Sequence, residues 1–156
     1  MANPSLIIKR SYDIKEAEAI VVDPTIWEAI SGTYVNTASP KLIDKRSHIY
    51  LIGYVDSVPI GLFIIHPKLN KDYHCHVQVL SEYRARYSNS FGRAVIQWTW
   101  DNTSIDILYA TISPNFPNVI SFAQVMGFSK TRFISKNKKS KLNKAPKWEL
   151  QVQRDN

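Results

Sequence analysis

Near its start the chain carries a short apolar run, Leu6-Ile7-Ile8. Ser5–Tyr12 (Ser-Leu-Ile-Ile-Lys-Arg-Ser-Tyr) is rich in β-branched residues and predicts a first strand. The period then lengthens. Ile14, Ala17, Ile20 and Val21 recur at helical spacing, Asp13 stands where it can cap that helix, and Asp23-Pro24 breaks it. A second short helix is expected over Thr25–Ile30, and Gly32 to Asp44 reads as a loop. Three apolar runs follow: His48–Val55, Val58–His66 and Tyr73–Leu80. Asp56-Ser57 and Pro67–Asn70 separate them, which predicts an antiparallel meander. Their nearly continuous apolar character calls for cover on both faces.

The second half alternates strand and helix. Ser90–Thr103 predicts a helix with an apolar stripe of Phe91, Val95, Trp98 and Thr99. Ile105–Ile112 predicts a fifth strand. Ser113–Pro117 is irregular, because each proline disfavours a helical residue before it. Asn118–Met126 is a short helix that Gly127 can end in a left-handed conformation. Ser129–Ser135 and Trp148–Gln153 are the last strands. The order β, α(α), β, β, β, α, β, α, β, β gives an α/β fold (α+β) with a mixed sheet. Within the fourth strand, alternation places His74 and His76 on one face and Cys75 on the other.

The chain has 156 residues, of which 44% are hydrophobic and 12% aromatic, enough for one sizeable core. No apolar run approaches the roughly 18 residues of a membrane span. Met1-Ala2-Asn3-Pro4 lacks the basic start of a signal peptide, so a soluble, cytoplasmic protein with no membrane association is expected. The lone cysteine, Cys75, excludes an internal disulfide and a multi-cysteine zinc site. With Cys75 facing away from His74 and His76, no metal is expected. The net charge is +7, and six lysines crowd Lys136–Lys147. That run reads as a solvated loop, or as a footprint for an acidic partner. It carries no aromatic for base stacking, so nucleic acid is not an expected partner.

Some stretches go further than class. Leu108-Tyr109-Ala110-Thr111-Ile112-Ser113-Pro114-Asn115 leads into a helix closing on Val125-Met126-Gly127-Phe128. Val79-Leu80-Ser81-Glu82-Tyr83-Arg84 precedes another helix, and Gly53-Tyr54-Val55-Asp56-Ser57-Val58-Pro59-Ile60-Gly61 forms a hairpin. Trp98-Thr99-Trp100-Asp101-Asn102-Thr103 ends the long helix. In this order, from about Leu6 to Val152, the chain resembles the GNAT N-acetyltransferase superfamily, and small phage-encoded GNAT-like proteins in particular. The resemblance implies one GNAT-like domain over residues 1–156, about seven strands flanked by helices, with a Lys-rich loop at 136–147.

It also implies a chemistry. Acetyl-CoA would lie between the splayed fourth and fifth strands, its pantetheine arm along the backbone of Gln78, Val79 and Leu80. Its pyrophosphate would meet a turn over Arg84-Ala85-Arg86-Tyr87-Ser88-Asn89 and the amides of the next helix. The glycines of that turn are missing here, and Ala85, Tyr87 and Asn89 stand in their place, while Arg84, Arg86 and Arg93 offer charge. Asn115 or Asn118 would hold the pantetheine arm. His74, His76 or Glu82 would be the base, and Tyr109 and Ser113 would approach the acetyl group. The tyrosine acid that lies four residues before the helix-ending glycine is Ala123 here. Two expectations result. One is transfer of an acetyl group from acetyl-CoA to an amine acceptor. The other is a catalytically inactive GNAT-like phage protein acting in virion (head) assembly or as an interaction module, with a phage or host protein partner, in the host cytoplasm or virion.

Overall fold

A computed structural model describes residues 5–21, 42, 44–68, 72–135 and 146–155. The expected helix Thr25–Ile30, part of the turn after Pro67 and most of the lysine-rich loop lie outside the described residues. The elements are β1 (Leu6–Ser11), α1 (Ile14–Val21), β2 (Ile49–Val55), β3 (Val58–Pro67) and β4 (Tyr73–Val79), then a single 3-10 turn at Ser81–Tyr83. After it come α2 (Arg84–Asn102), β5 (Ile107–Ile112), α3 (Pro117–Val125), β6 (Ser129–Ile134) and β7 (Lys147–Gln153).

The seven strands form one sheet in the order β1-β2-β3-β4-β5-β7-β6. Every neighbouring pair is antiparallel except β4 and β5, which run parallel. The β2–β3 turn has Asp56 at φ 50° and Ser57 at φ 65°, the paired positive angles of a two-residue hairpin. Asp13 caps α1 as its sequence position requires, its Oδ1 accepting the Lys15 N–H at 3.0 Å. Gly127 ends α3 at φ +109°, where a side chain would be strained.

Strand alternation divides the core. Leu51, Phe63, Ile65, Cys75, Val79, Leu108 and Leu150 face α2 and α3. Tyr50, Ile52, Leu62 and Ile64 face α1, through Ala17, Ile20 and Val21. Phe91 from α2 is fully buried over Gly53 and Gly61, which pair across β2 and β3. A Cβ on Gly53 would come within 2.6 Å of the Phe91 ring, so glycine here makes room for the aromatic.

One boundary departs from the sequence reading. The long helix begins at Arg84 and not at Ser90, so Arg84–Asn89 is helix and not a phosphate turn. The stretch contains neither glycine nor proline, and Tyr87 continues the buried stripe of Phe91 and Val95 at steps of four. Nothing in it stops a helix from forming.

Candidate functional site

The site is built at a fork in the sheet. β4 pairs with β5 only at Tyr73↔Leu108 and His74↔Tyr109, near the start of both strands. Against β3, by contrast, β4 pairs along its whole length, from Tyr73 to Val79. From Cys75 to Val79, then, one edge of β4 has no strand beside it, in the middle of a seven-stranded sheet. Both strands lead at their open ends into helix N-termini, α2 after β4 and α3 after β5. Neither N-terminus has a side-chain cap. Uncapped amides at a helix start favour an anion.

Backbone direction alternates along a strand, and the Leu80 N–H donates to the Ile60 carbonyl at 2.8 Å. Leu80 and Gln78 thus turn their main-chain groups toward β3, while Val79, Val77 and Cys75 turn theirs into the gap. Of the expected backbone cradle of Gln78, Val79 and Leu80, only Val79 turns its main-chain groups toward the opening. Its carbonyl accepts from Arg84 Nε at 2.8 Å. Arg84 therefore bridges the end of β4 and the start of α2.

On the face of the sheet opposite the α2 core lies a cluster of imidazoles. His66 pairs with His74 across β3 and β4, and His74 with Tyr109 across β4 and β5. The His74 ring stacks on Tyr109 at 5.5 Å and on His66 at 6.2 Å. His48, just before β2, stacks on His66 at 5.8 Å. His76 Nε2 lies 3.0 Å from His66 Nε2. All four histidines of the chain thus share one face, and Cys75 sits in the core on the other, as alternation requires.

Burial sets their charge. His74 is held down to about 4, first by burial, then by Lys68 and His66, with Glu149 and Asp72 acting the other way. His76 is also held down to about 4, by burial and then by His66, Lys68 and His74. His48 and His66 are lowered as well, chiefly by burial. At neutral pH these are uncharged bases. Burial pushes the Cys75 thiol up, which leaves it a core residue and not a nucleophile. Gln78 follows His76 on the same face. It is 9% exposed, and its Oε1 is buried with no hydrogen-bond partner. A buried amide oxygen left unpaired is costly, and it can accept a donor from a ligand.

The remaining expected residues fall elsewhere. Glu82 is exposed in the 3-10 turn, beyond the end of β4 and six residues after His76. Arg86 is exposed, its guanidinium 5.4 Å from the centre of the Tyr87 ring. Tyr87 packs with Val55 and Ile60. Ser88 is half-buried and Asn89 exposed on α2. Asn115 is exposed, its N–H donating to Ser113 Oγ at 3.2 Å, and Asn118 is exposed in the first turn of α3. Ala123 is buried. Among the described residues, no group of three or more His, Cys, Asp or Glu side chains could hold a metal, and no helix is long and apolar enough to cross a membrane. A cavity of about 520 Å³ opens between Trp100, Met126 and Gln153. It contains none of these groups, so the fork and not the cavity defines the site.

Sequence reasoning missed His48, His66 and the orphaned Gln78 side chain. The register of the meander carries the signal for the first two: His48 opens the strand whose hairpin partner ends near His66, and His66 and His74 flank the next connection.

This architecture is the GNAT acetyltransferase fold: a mixed seven-stranded sheet, flanked by helices, with its parallel pair splayed. Among solved structures, aminoglycoside acetyltransferase AAC(6')-Ib in complex with coenzyme A and kanamycin is similar, with a TM-score of 0.68 at 12% identity, covering 96% of this chain and 95% of that one. A spermidine N-acetyltransferase SpeG chimera from Vibrio cholerae and hSSAT gives a TM-score of 0.67 at 7% identity and covers 95% of each chain. A GNAT-family acetyltransferase from Streptococcus pneumoniae gives 0.65 at 12% identity, over 96% and 99%. No protein-family model matches the sequence, and no curated protein matches it.

Proposed function

We propose that this protein is an N-acetyltransferase that moves an acetyl group from acetyl-CoA to an amine. The observation that carries the reading is the β4–β5 fork, where Val77 and the N–H of Val79 face the gap with no strand beside them. These groups can pair with the amides of a pantetheine arm as a strand would. The uncapped starts of α2 and α3, with Arg84 and Arg86, suit its phosphates. Similar structures contain coenzyme A or acetyl-CoA. When bound, acetyl-CoA supplies an activated thioester.

The chain's own residues supply the rest. His74 and His76, neutral at pH 7, can take the proton that an attacking amine gives up. Gln78 Oε1 accepts an N–H of that amine and so orients it. Tyr109, stacked on His74, would border the acetyl group. Ala123 stands where a tyrosine acid would, so that position offers no side-chain proton donor for a leaving thiolate. Isothermal titration with acetyl-CoA tests the reading: saturable heat supports it, and no heat at millimolar ligand removes it.

A second reading is a GNAT-like module without catalysis, in the form of a phage head-assembly or virion protein bound to a phage or host partner. The specific observation in its favour is Arg84, whose bond to the Val79 carbonyl occupies an acceptor that a pantetheine arm would use. If this reading holds, Arg84→Ala gains no acetyl-CoA binding, and the protein is found in purified virions or assembly intermediates.

A further inference from the structure

The contact between His66 and His76 fixes which of their nitrogens carry protons. His66 Nδ1 lies 3.2 Å from the Pro67 carbonyl oxygen. A carbonyl only accepts, so Nδ1 of His66 bears the hydrogen. A neutral imidazole has one N–H, so His66 Nε2 is a lone pair. That lone pair faces His76 Nε2 at 3.0 Å. The two rings are within 6° of parallel, with their centroids 5.1 Å apart. His76 Nε2 must therefore donate, which leaves Nδ1 as the basic atom of His76.

We propose that His76 Nδ1 is the base of the cleft and that His66 is a positioning residue that sets its tautomer and stores its proton. The amine N–H bond breaks and its proton joins His76 Nδ1. The His76 Nε2–H bond breaks as its proton passes to the lone pair of His66 Nε2. His66 becomes the imidazolium and keeps its Nδ1–H on the Pro67 carbonyl. His76 ends neutral with its hydrogen on Nδ1, and the N–H···N bond between the rings has reversed direction. Burial, the largest influence, and Lys68 disfavour the charged form of His66, and the Pro67 carbonyl offsets part of this.

Other groups around the pair are His48 before β2, His74 on β4, and Lys68 after β3. Asp72 and, from β7, Glu149 act on His74, while Glu16 of α1 is engaged by the Tyr54 hydroxyl. The inference rests on the acetyl-transfer reading only for the identity of the proton donor.

Long-range ¹H–¹⁵N correlation spectra of the histidine-labelled protein at pH 7 test it without any ligand. The expected result is a single tautomer for each ring: protonated Nδ1 in His66 and protonated Nε2 in His76. His66→Ala loses the single tautomer of His76. His66→Gln, which keeps an acceptor oxygen but cannot take the proton, restores it. His66 protonated on Nε2, His76 protonated on Nδ1, or a His76 tautomer indifferent to His66→Ala each overturns the proposal. Backbone amide spectra of each variant confirm that it is folded. Titration with acetyl-CoA is read separately, so a protein with the expected tautomers and no acetyl-CoA binding loses the transfer reading and keeps the pair.

Discussion

Lowering the pH from 6.5 to 5 should destabilise this protein steeply, before its carboxylates begin to matter. The perturbation acts on His74 and His76. Each is held near 4 in the folded state, against 6.5 for an unperturbed histidine. A lowered folded pKa means that the unfolded chain binds protons first. The stabilising effect of the neutral rings is therefore complete above pH 6.5, and it drains away as pH falls toward 4. Between pH 6.5 and 5 this is a loss of about 1–2 kcal/mol for each ring, or about 2–3 kcal/mol for the coupled pair. For a domain of this size that is a melting shift of roughly 6–12 °C. His48 and His66 are lowered too and act in the same direction.

The assay is urea or thermal unfolding at half-unit pH steps from 7.5 to 5. Ordinary carboxylates titrate near 4, so the window isolates imidazoles. The double variant His74→Gln/His76→Gln should lose more than half of the slope. Because the rings interact, the apparent midpoint belongs to the cluster and not to either residue. A transition that does not move between pH 6.5 and 5, or a double variant with the wild-type slope, would refute the reasoning.

Three other perturbations follow from the packing. Gly61→Ala places a Cβ 2.9 Å from the Gln78 carbonyl and 3.2 Å from the Phe91 ring, and should cost about 1–3 kcal/mol in chemical denaturation. Arg154 ties the end of β7 to the exit of α2, donating to the Thr103 carbonyl at 2.7 Å and the Ile105 carbonyl at 2.8 Å. Arg154→Ala should lower stability by about 1–3 kcal/mol, whereas Arg154→Lys should recover only part of it. Gln78→Leu removes an orphaned buried oxygen, so the ligand-free protein should gain up to about 1–3 kcal/mol by calorimetry while amine acetylation falls.

Element order was legible because period and punctuation agree. Asp13 before Ile14 and Gly127 after Met126 mark helix ends that the structure reproduces. The start of α2 was not, because a resemblance to glycine-rich phosphate turns was laid over Arg84–Asn89, a stretch whose own residues favour helix. The faces of His74, Cys75 and His76 could be read from alternation alone. The contribution of His66 could not, since it depends on the register of three strands at once. Gln78 was legible as backbone but not as a side chain: its main chain faces β3, while its buried Oε1 is left without a hydrogen-bond partner.

The fork itself could not be read from either strand, and its cause lies in what surrounds it. At His74↔Tyr109 the last paired residues also stack their rings, at 5.5 Å, which ties the two strands together at that level. Beyond it, β4 stays bound to β3 as far as Gly61↔Val79, and β5 stays bound to β7 as far as Ile112↔Trp148. Each strand thus keeps a full partner on its outer side. Arg84 then holds the end of β4 to the start of α2 through the Val79 carbonyl. The opening is consequently maintained by the chain's own pairing and needs no ligand to keep it apart. A cleft held open in this way presents unpaired main-chain groups at a fixed spacing, with neutral imidazoles at its closed end and helix starts at its mouth. That arrangement pre-orders a site for an extended, amide-bearing ligand with an anionic tail.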